Sequence, residues 1–168
     1  MVLRSFNPKD SPALDLQISE LLYDKRNVRI LQLMSRKPRI SISELARQIK
    51  MSAPAVRERV QRLEEAGVIK GYRLELDSRA LGYPIAAFIR IRPGPGMLPK
   101  IAELAQRLPQ VTECYRITGE DCFLIKVHID TLDHLDRVLD QFLAFGQTTT
   151  SLVQSVSVSP RSLPLPNV

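Results

Sequence analysis

Residues 41–67 read SISELARQIKMSAPAVRERVQRLEEAG, and the spacing of apolar, capping and basic side chains here decides the expected fold. Ser41-Ile42-Ser43-Glu44 has the form of a capping box, in which a hydroxyl and a carboxylate satisfy each other's backbone donors at a helix start. Ile42, Leu45, Ala46 and Ile49 then share one face, which predicts a helix of about two turns. After Lys50 and Met51 comes a second N-cap, Ser52, with Pro54 in the first turn, where its missing N–H costs nothing. Val56, Val60 and Leu63 recur at helical spacing up to Gly67, the expected left-handed terminator. Two short helices joined by a tight turn, the second with an apolar back, form a helix-turn-helix.

Upstream, Asp24 is a good N-cap, and Val28, Leu31 and Met34, with Ile30 and Leu33 beside them, make an apolar stripe that stops before Pro38. A supporting helix is predicted over roughly residues 25–36. Residues 1–22 mix Pro8, Ser11 and Pro12 with Leu14, Leu16, Ile18, Leu21 and Leu22; this arm reads equally as a docked helix, a strand or a loose segment. Downstream, Val68, Ile69, Tyr72, Leu74 and Leu76 alternate around Gly71 and predict a short strand or wing. The first domain is therefore a winged helix-turn-helix over residues 23–76, followed by a linker at 77–84.

The second half changes rhythm. Ile85, Ala87, Ile89 and Ile91 alternate with Ala86, Phe88, Arg90 and Arg92 until Pro93-Gly94-Pro95-Gly96 breaks the strand. Met97, Ile101, Leu104, Ala105 and Leu108 return at helical spacing. Val111–Thr118 and Cys122–Ile129 read as a hairpin around Gly119, Leu132–Phe142 as a second helix, and Thr148–Val158 as a last strand. The order βαββαβ predicts a ferredoxin-like domain over residues 85–159, an antiparallel sheet with two helices on one face, and a Pro-rich tail at 160–168. The fold class is α+β. Phe88, Leu124, Lys126 and His128 fall on the face away from the helices, which is too apolar to sit in water, so a homodimer through this domain is expected.

Charge and composition narrow the function. The 168 residues carry 24 Lys and Arg against 18 Asp and Glu, a net +6. Residues 1–78 hold 15 basic and 10 acidic side chains against 9 and 8 in the remainder, so the basic field belongs to the helix-turn-helix half and suits a polyanion. Two cysteines, Cys114 and Cys122, are too few for a disulfide framework, and no metal-ligand set surrounds them. The first residues lack the apolar run of a signal peptide and no stretch is long enough for a membrane helix, so a cytoplasmic protein is expected. Pro93-Gly94-Pro95-Gly96 has neither the spacing nor the following Lys-Ser/Thr of a phosphate loop. His128 and His134 have no Ser, Cys and acid at recognisable spacing, so no catalytic residues, metal site or cofactor are expected.

Projecting the second helix of the motif at 3.6 residues per turn turns Val56, Val60 and Leu63 inward and leaves Pro54, Arg57, Glu58 and Gln61 outward, with Arg62 beside them. Arg57 and Gln61 lie one turn apart and have the donor geometry to read guanine and adenine edges. Ser52, Lys50, Arg59, Arg62, Lys70 and Arg73 suit phosphates, and Ala53 sits at the helix start that enters the groove. A single arginine on such a helix is ordinarily a solvated charge. Here cap, turn, Ser-x-Pro start, outward Arg/Gln set and basic wing coincide, and double-stranded DNA is the expected partner.

Residues 22–157 resemble the Lrp/AsnC, or feast/famine, family of prokaryotic transcription regulators. The likeness is carried by Asp24 to Leu31, Ile40 to Ala46, Met51 to Val60, Arg62 to Ile69 and Gly71-Tyr72. It implies a DNA-binding regulator whose dimers associate through the ferredoxin-like domain, often as octamers, and whose binding commonly responds to an amino acid. It also implies an effector site between dimers, near the hairpin turn, with a Gly-acidic-aromatic-Asp pattern. The matching positions here are Gly119, Glu120, Asp121 and Cys122, so the aromatic and the final Asp are replaced; Thr148, Thr149 and Thr150 are the other candidates for holding the effector. Decarboxylases built on the same plan use a His-Asn-Tyr cluster in the strand matching Thr112–Ile117, where this chain reads Thr-Glu-Cys-Tyr-Arg-Ile, without that His. A regulator, not an enzyme, is the expectation.

Overall fold

Capping and periodicity place the helices where expected. The computed structural model describes residues 12–166, with side chains from residue 18 onward; Pro8 and Ser11, and the side chains of Leu14 and Leu16, lie outside the described residues. Helices α1 (Pro12–Tyr23), α2 (Lys25–Arg36), α3 (Ile42–Ile49) and α4 (Ala53–Glu65) come first. The undecided arm is thus helical from Pro12. Asp24 caps α2 by accepting from the Arg26 N–H at 2.8 Å, and Ser52 caps α4 by accepting from the Ala55 N–H at 3.4 Å. Gly67 ends the motif with a φ of +72°, a conformation that costs a glycine little. The capping box is only half made. Ser41 accepts from the Glu44 N–H, but the Glu44 carboxylate turns to Lys37 Nζ and Gln48 Nε2 instead of reaching back to Ser41.

Val28, Ile30, Leu31, Leu33, Leu45, Ala46, Val56, Val60 and Leu63 are buried, while Met34, expected in the same stripe, is half-buried. The helical unit extends to Leu74 and takes in the chain again from Pro160, with Leu165 packed against the helical core. The expected wing is not a strand. Residues 70–77 form no regular secondary structure, with Tyr72, Leu74 and Leu76 exposed. A strand needs a ladder partner, and among the described residues the four strands of the sheet pair only with one another.

The second unit, Glu75–Ser159, holds β1 (Ile85–Pro93), α5 (Leu98–Arg107), β2 (Val111–Arg116), β3 (Phe123–Ile129), α6 (Leu132–Leu143) and β4 (Gly146–Leu152). This is the expected βαββαβ order. The sheet is antiparallel in the order β2-β3-β1-β4, with Ile89 opposite Ile125 and Thr150. Ala87, Ile89 and Ile91 with Phe123, Ile125, Val127 and Ile129 form one apolar face, covered by Ile101 and Leu104 of α5 and Leu135, Val138 and Phe142 of α6.

The last strand stops at Leu152 rather than near Val158, because its partner runs out: Leu152 pairs with Ala87, and the final bond is from the Val153 N–H to the Ala86 carbonyl. Its first residue has to be glycine. A Cβ on Gly146 would lie 2.2 Å from the Arg92 carbonyl oxygen. Among the described residues no helix is long and apolar enough to cross a membrane.

Candidate nucleic-acid interface

Burial of Val56, Val60 and Leu63 fixes which way α4 faces, and Pro54, Arg57, Glu58, Gln61 and Arg62 are all exposed. Their partners differ. Gln61 Nε2 donates to Glu65 at 2.7 Å and Arg62 Nη2 to Glu58 at 2.5 Å, pairs one turn apart on a solvated surface that are cheap to exchange for DNA contacts. The side chains of Arg57, Lys50, Lys70 and Arg73 make no hydrogen bond or ion pair among the described residues, so their charges project freely. Tyr72 donates to Glu64 Oε1 at 2.8 Å, which ties the segment after Gly71 to the end of α4. Burial, and then the Glu64 carboxylate, push the Tyr72 phenol up to about 12.

Arg59 differs from the phosphate-binding expectation. Its Nη1 donates to Asp24 Oδ2 at 2.5 Å and Asn27 Oδ1 at 2.8 Å, and its side chain is only 26% exposed. Burial pushes the Asp24 carboxyl up, but the bonds from Arg59 and the Arg26 N–H outweigh it and hold the group below its ordinary range.

The turn between α3 and α4 passes through Lys50 at φ +55°, left-handed and not glycine. That conformation costs a side-chain-bearing residue about 1 kcal/mol relative to glycine. Lys50→Gly is therefore expected to raise the melting temperature while weakening all DNA sequences alike, as one free cation is lost. Thermal denaturation together with titration of two unrelated duplexes checks both halves; unchanged affinity would remove Lys50 from the interface.

The effector candidates of the second unit are only partly brought together. Gly119, at φ +114°, opens the hairpin turn. Glu120 is paired with Arg92, and Asp121 stands 3.9 Å from both Arg90 and Arg92. Cys122 packs instead against the core beneath the sheet. The Thr148–Thr150 run splits by alternation: Thr149 lies opposite Arg90 on the open face, whereas Thr148 and Thr150 lie opposite Ile91 and Ile89 on the helix-covered face. Sequence reasoning does not single out Arg90 and Arg92; their period-2 spacing on β1 signals one shared sheet face, and only the fold brings both to the acids of the turn.

The histidines and Cys114 of this unit are held in local contacts. His128 Nδ1 lies 3.2 Å from Thr112 Oγ1, and burial lowers its pKa. His134 is half-buried and bridges Asp130 Oδ1 at 2.7 Å and Gln110 Nε2 at 3.1 Å. Burial raises the Cys114 thiol, which keeps it protonated and inert. No group of three metal-ligating side chains occurs among the described residues.

Known proteins match both units. Residues 23–70 match a winged helix-turn-helix DNA-binding model and residues 86–163 the Lrp/AsnC ligand binding domain. The regulator LrpC of Bacillus subtilis is 32% identical over 132 residues, covering 79% of this chain and 92% of the relative. The chain belongs to the Lrp/AsnC family of transcriptional regulators. The Lrp/AsnC fold is also seen in the solved structure of B. subtilis LrpC, with a TM-score of 0.76 at 31% identity over 82% of this chain and 98% of that one. A Neisseria meningitidis regulator, solved as an L-Met complex, gives a TM-score of 0.78 at 25% identity over 84% and 96% of the two chains. This Lrp/AsnC protein is thus a DNA-binding transcriptional regulator with a ligand-binding domain, in a family of regulators rather than enzymes.

Proposed function

We propose that the protein is a sequence-specific regulator in which a homodimer presents two copies of α4 to successive major grooves of a pseudo-palindromic operator, about one helical turn apart. The observation that carries this reading is the exposure of Arg57 and Gln61 on a helix whose opposite face, Val56, Val60 and Leu63, is buried. Arg57 and Gln61 contact base edges, with Pro54 and Glu58 beside them. Ser52 and Ala53 bring the helix start to the backbone, and Lys50, Arg62, Lys70 and Arg73 hold phosphates.

The dimer forms through the open face of the sheet. Phe88, Leu124, Lys126 and His128 are half-buried in the single chain, with Lys126 Nζ 6.0 Å from the Phe88 ring centroid. Dimers then assemble further, up to the octamer that the family likeness implies. An amino acid or related small molecule bound between dimers, beside Gly119, Glu120, Asp121 and Thr149, modulates DNA binding; the L-Met bound by the Neisseria relative supports that ligand class. Arg90 and Arg92 already neutralise the two acids of the turn and offer donors to a ligand carboxylate.

The test is a salt titration of operator binding. Several phosphate contacts predict a steep linear fall of log K with log salt, about 0.9 per contact, whereas an apolar protein-docking surface predicts almost none. A thermal-shift screen over the amino acids checks the effector, because a ligand that binds only the folded state raises the melting point. A flat screen would remove the effector and leave the DNA reading in place.

A further inference from the structure

Arg59 lies on the flank of α4, between its buried back and its outward face, and meets two oxygens from the start of α2. One of these, Asn27 Oδ1, belongs to a side chain only 3% exposed, the one buried polar side chain among the described residues. Asn27 Nδ2 donates in turn to the Leu21 carbonyl at 3.0 Å, an oxygen of the last turn of α1 that has no helical donor above it. Asp24 contributes both oxygens: Oδ1 caps α2 and Oδ2 takes the guanidinium. Asp24, Asn27 and Arg59 themselves line an open groove of about 590 Å³, together with Glu20 and Leu21 of α1 and Glu65 of α4. The polar knot of Asp24, Asn27 and Arg59 therefore bridges three helices beside a gap that apolar packing does not fill.

We infer that Arg59 is a positioning residue for α4, locking its rotation to the junction of α1 and α2 so that Arg57 and Gln61 meet the base edges in register. The inference rests on the reading of α4 as the element that enters the groove. Moving the guanidinium to a phosphate would strand the buried Asn27 oxygen, which is costly to leave unpaired. The knot also gives the arm before Asp24 a role, because α1 is held to the DNA-reading helix through one amide.

Two substitutions separate this from a phosphate contact. Asp24→Asn keeps a good N-cap for α2 but loses the ion pair. Removing an acid from a DNA-binding unit should strengthen binding by simple electrostatics; the positioning role predicts the opposite for the operator. Arg59→Lys keeps the charge but cannot fork to two acceptors.

Each variant is expected to lower the preference for operator over random duplex by about tenfold. The salt slope on random DNA should stay unchanged, and the double variant should be no worse than either alone. Circular dichroism and a melting curve confirm that the helices persist. If Arg59→Lys retains full preference, or Asp24→Asn tightens operator and random DNA alike, the proposal is overturned. Arg57→Ala in the same assay tells the two failures apart. Should it lose selectivity while the knot variants keep theirs, the knot alone is wrong; should it also keep selectivity, the α4 reading fails and takes the knot with it.

Discussion

Arg57→Ala is expected to lower operator affinity by roughly 1–3 kcal/mol and to relax preference at a single base position. The size follows from geometry. The Arg57 side chain is exposed and makes no hydrogen bond or ion pair among the described residues, so truncating it breaks no polar contact within the fold. A guanidinium that forks onto one guanine discriminates strongly at that pair and hardly elsewhere. Lys70 supplies the contrast: also free and exposed, but beyond the end of α4. Lys70→Ala should weaken every sequence by the same modest factor and reduce the salt slope by about one. Titrating a set of single-base operator variants against both proteins reads the two patterns directly. Equal losses at all positions for Arg57→Ala would place it on the phosphates, and no loss from either substitution would leave the groove assignment without support.

Local chemistry explains why much of this was legible in the sequence. Asp24, Ser52 and Gly67 each act through a bond or dihedral within a few residues, and each marks a helix end as expected. The alternation of Ile85, Ala87, Ile89 and Ile91 against Phe88, Arg90 and Arg92 similarly announced a strand with one covered face. What was not legible depends on groups distant in sequence. Glu44 left its capping partner because Lys37 lies within reach across the turn, and β4 ended early because β1 begins where it does. Arg59 looked like one more basic residue on a basic helix; only the fold brings Asp24 and Asn27, more than thirty positions earlier, onto its guanidinium. The three threonines looked like a patch in one dimension and were divided by the pleat in three.

The same argument applies to the two segments that flank the sheet unit in sequence. The alternating run from Val68 to Leu76 has the composition of a strand but no strand partner among the described residues, and its Tyr72, Leu74 and Leu76 remain exposed. Residues 160–166, read as a simple tail, join the helical unit because Leu165 finds an apolar contact there. Propensity gives the preferred backbone, while pairing and burial decide whether it is used.

Leu124→Asp is expected to have the larger effect on function, although residue 124 touches no DNA. It lies on the open face of the sheet, half-buried, directly opposite Arg90 on β1 and Tyr115 on β2. In a lone chain a carboxylate there stays hydrated and has Arg90 beside it, so the unit should fold with little loss. In a sheet-to-sheet dimer the same carboxylate would be taken out of water against Phe88 and its symmetry mates; Arg90 already faces Asp121, and the lost hydration of a buried charge outweighs one shared guanidinium by several kcal/mol. The variant is therefore expected to be monomeric by sedimentation or light scattering while its melting profile changes little. Two α4 helices held on one dimer bind an operator as a linked pair; separated, each binds alone, and the linkage accounts for about 10²–10⁴ in apparent affinity. Operator binding should fall by that order while the salt slope per chain is retained, because the surface around Arg57 is untouched. A Leu124→Asp protein that remains dimeric would show that the open face is not where two chains meet, and a monomer that binds the operator undiminished would show that α4 acts singly.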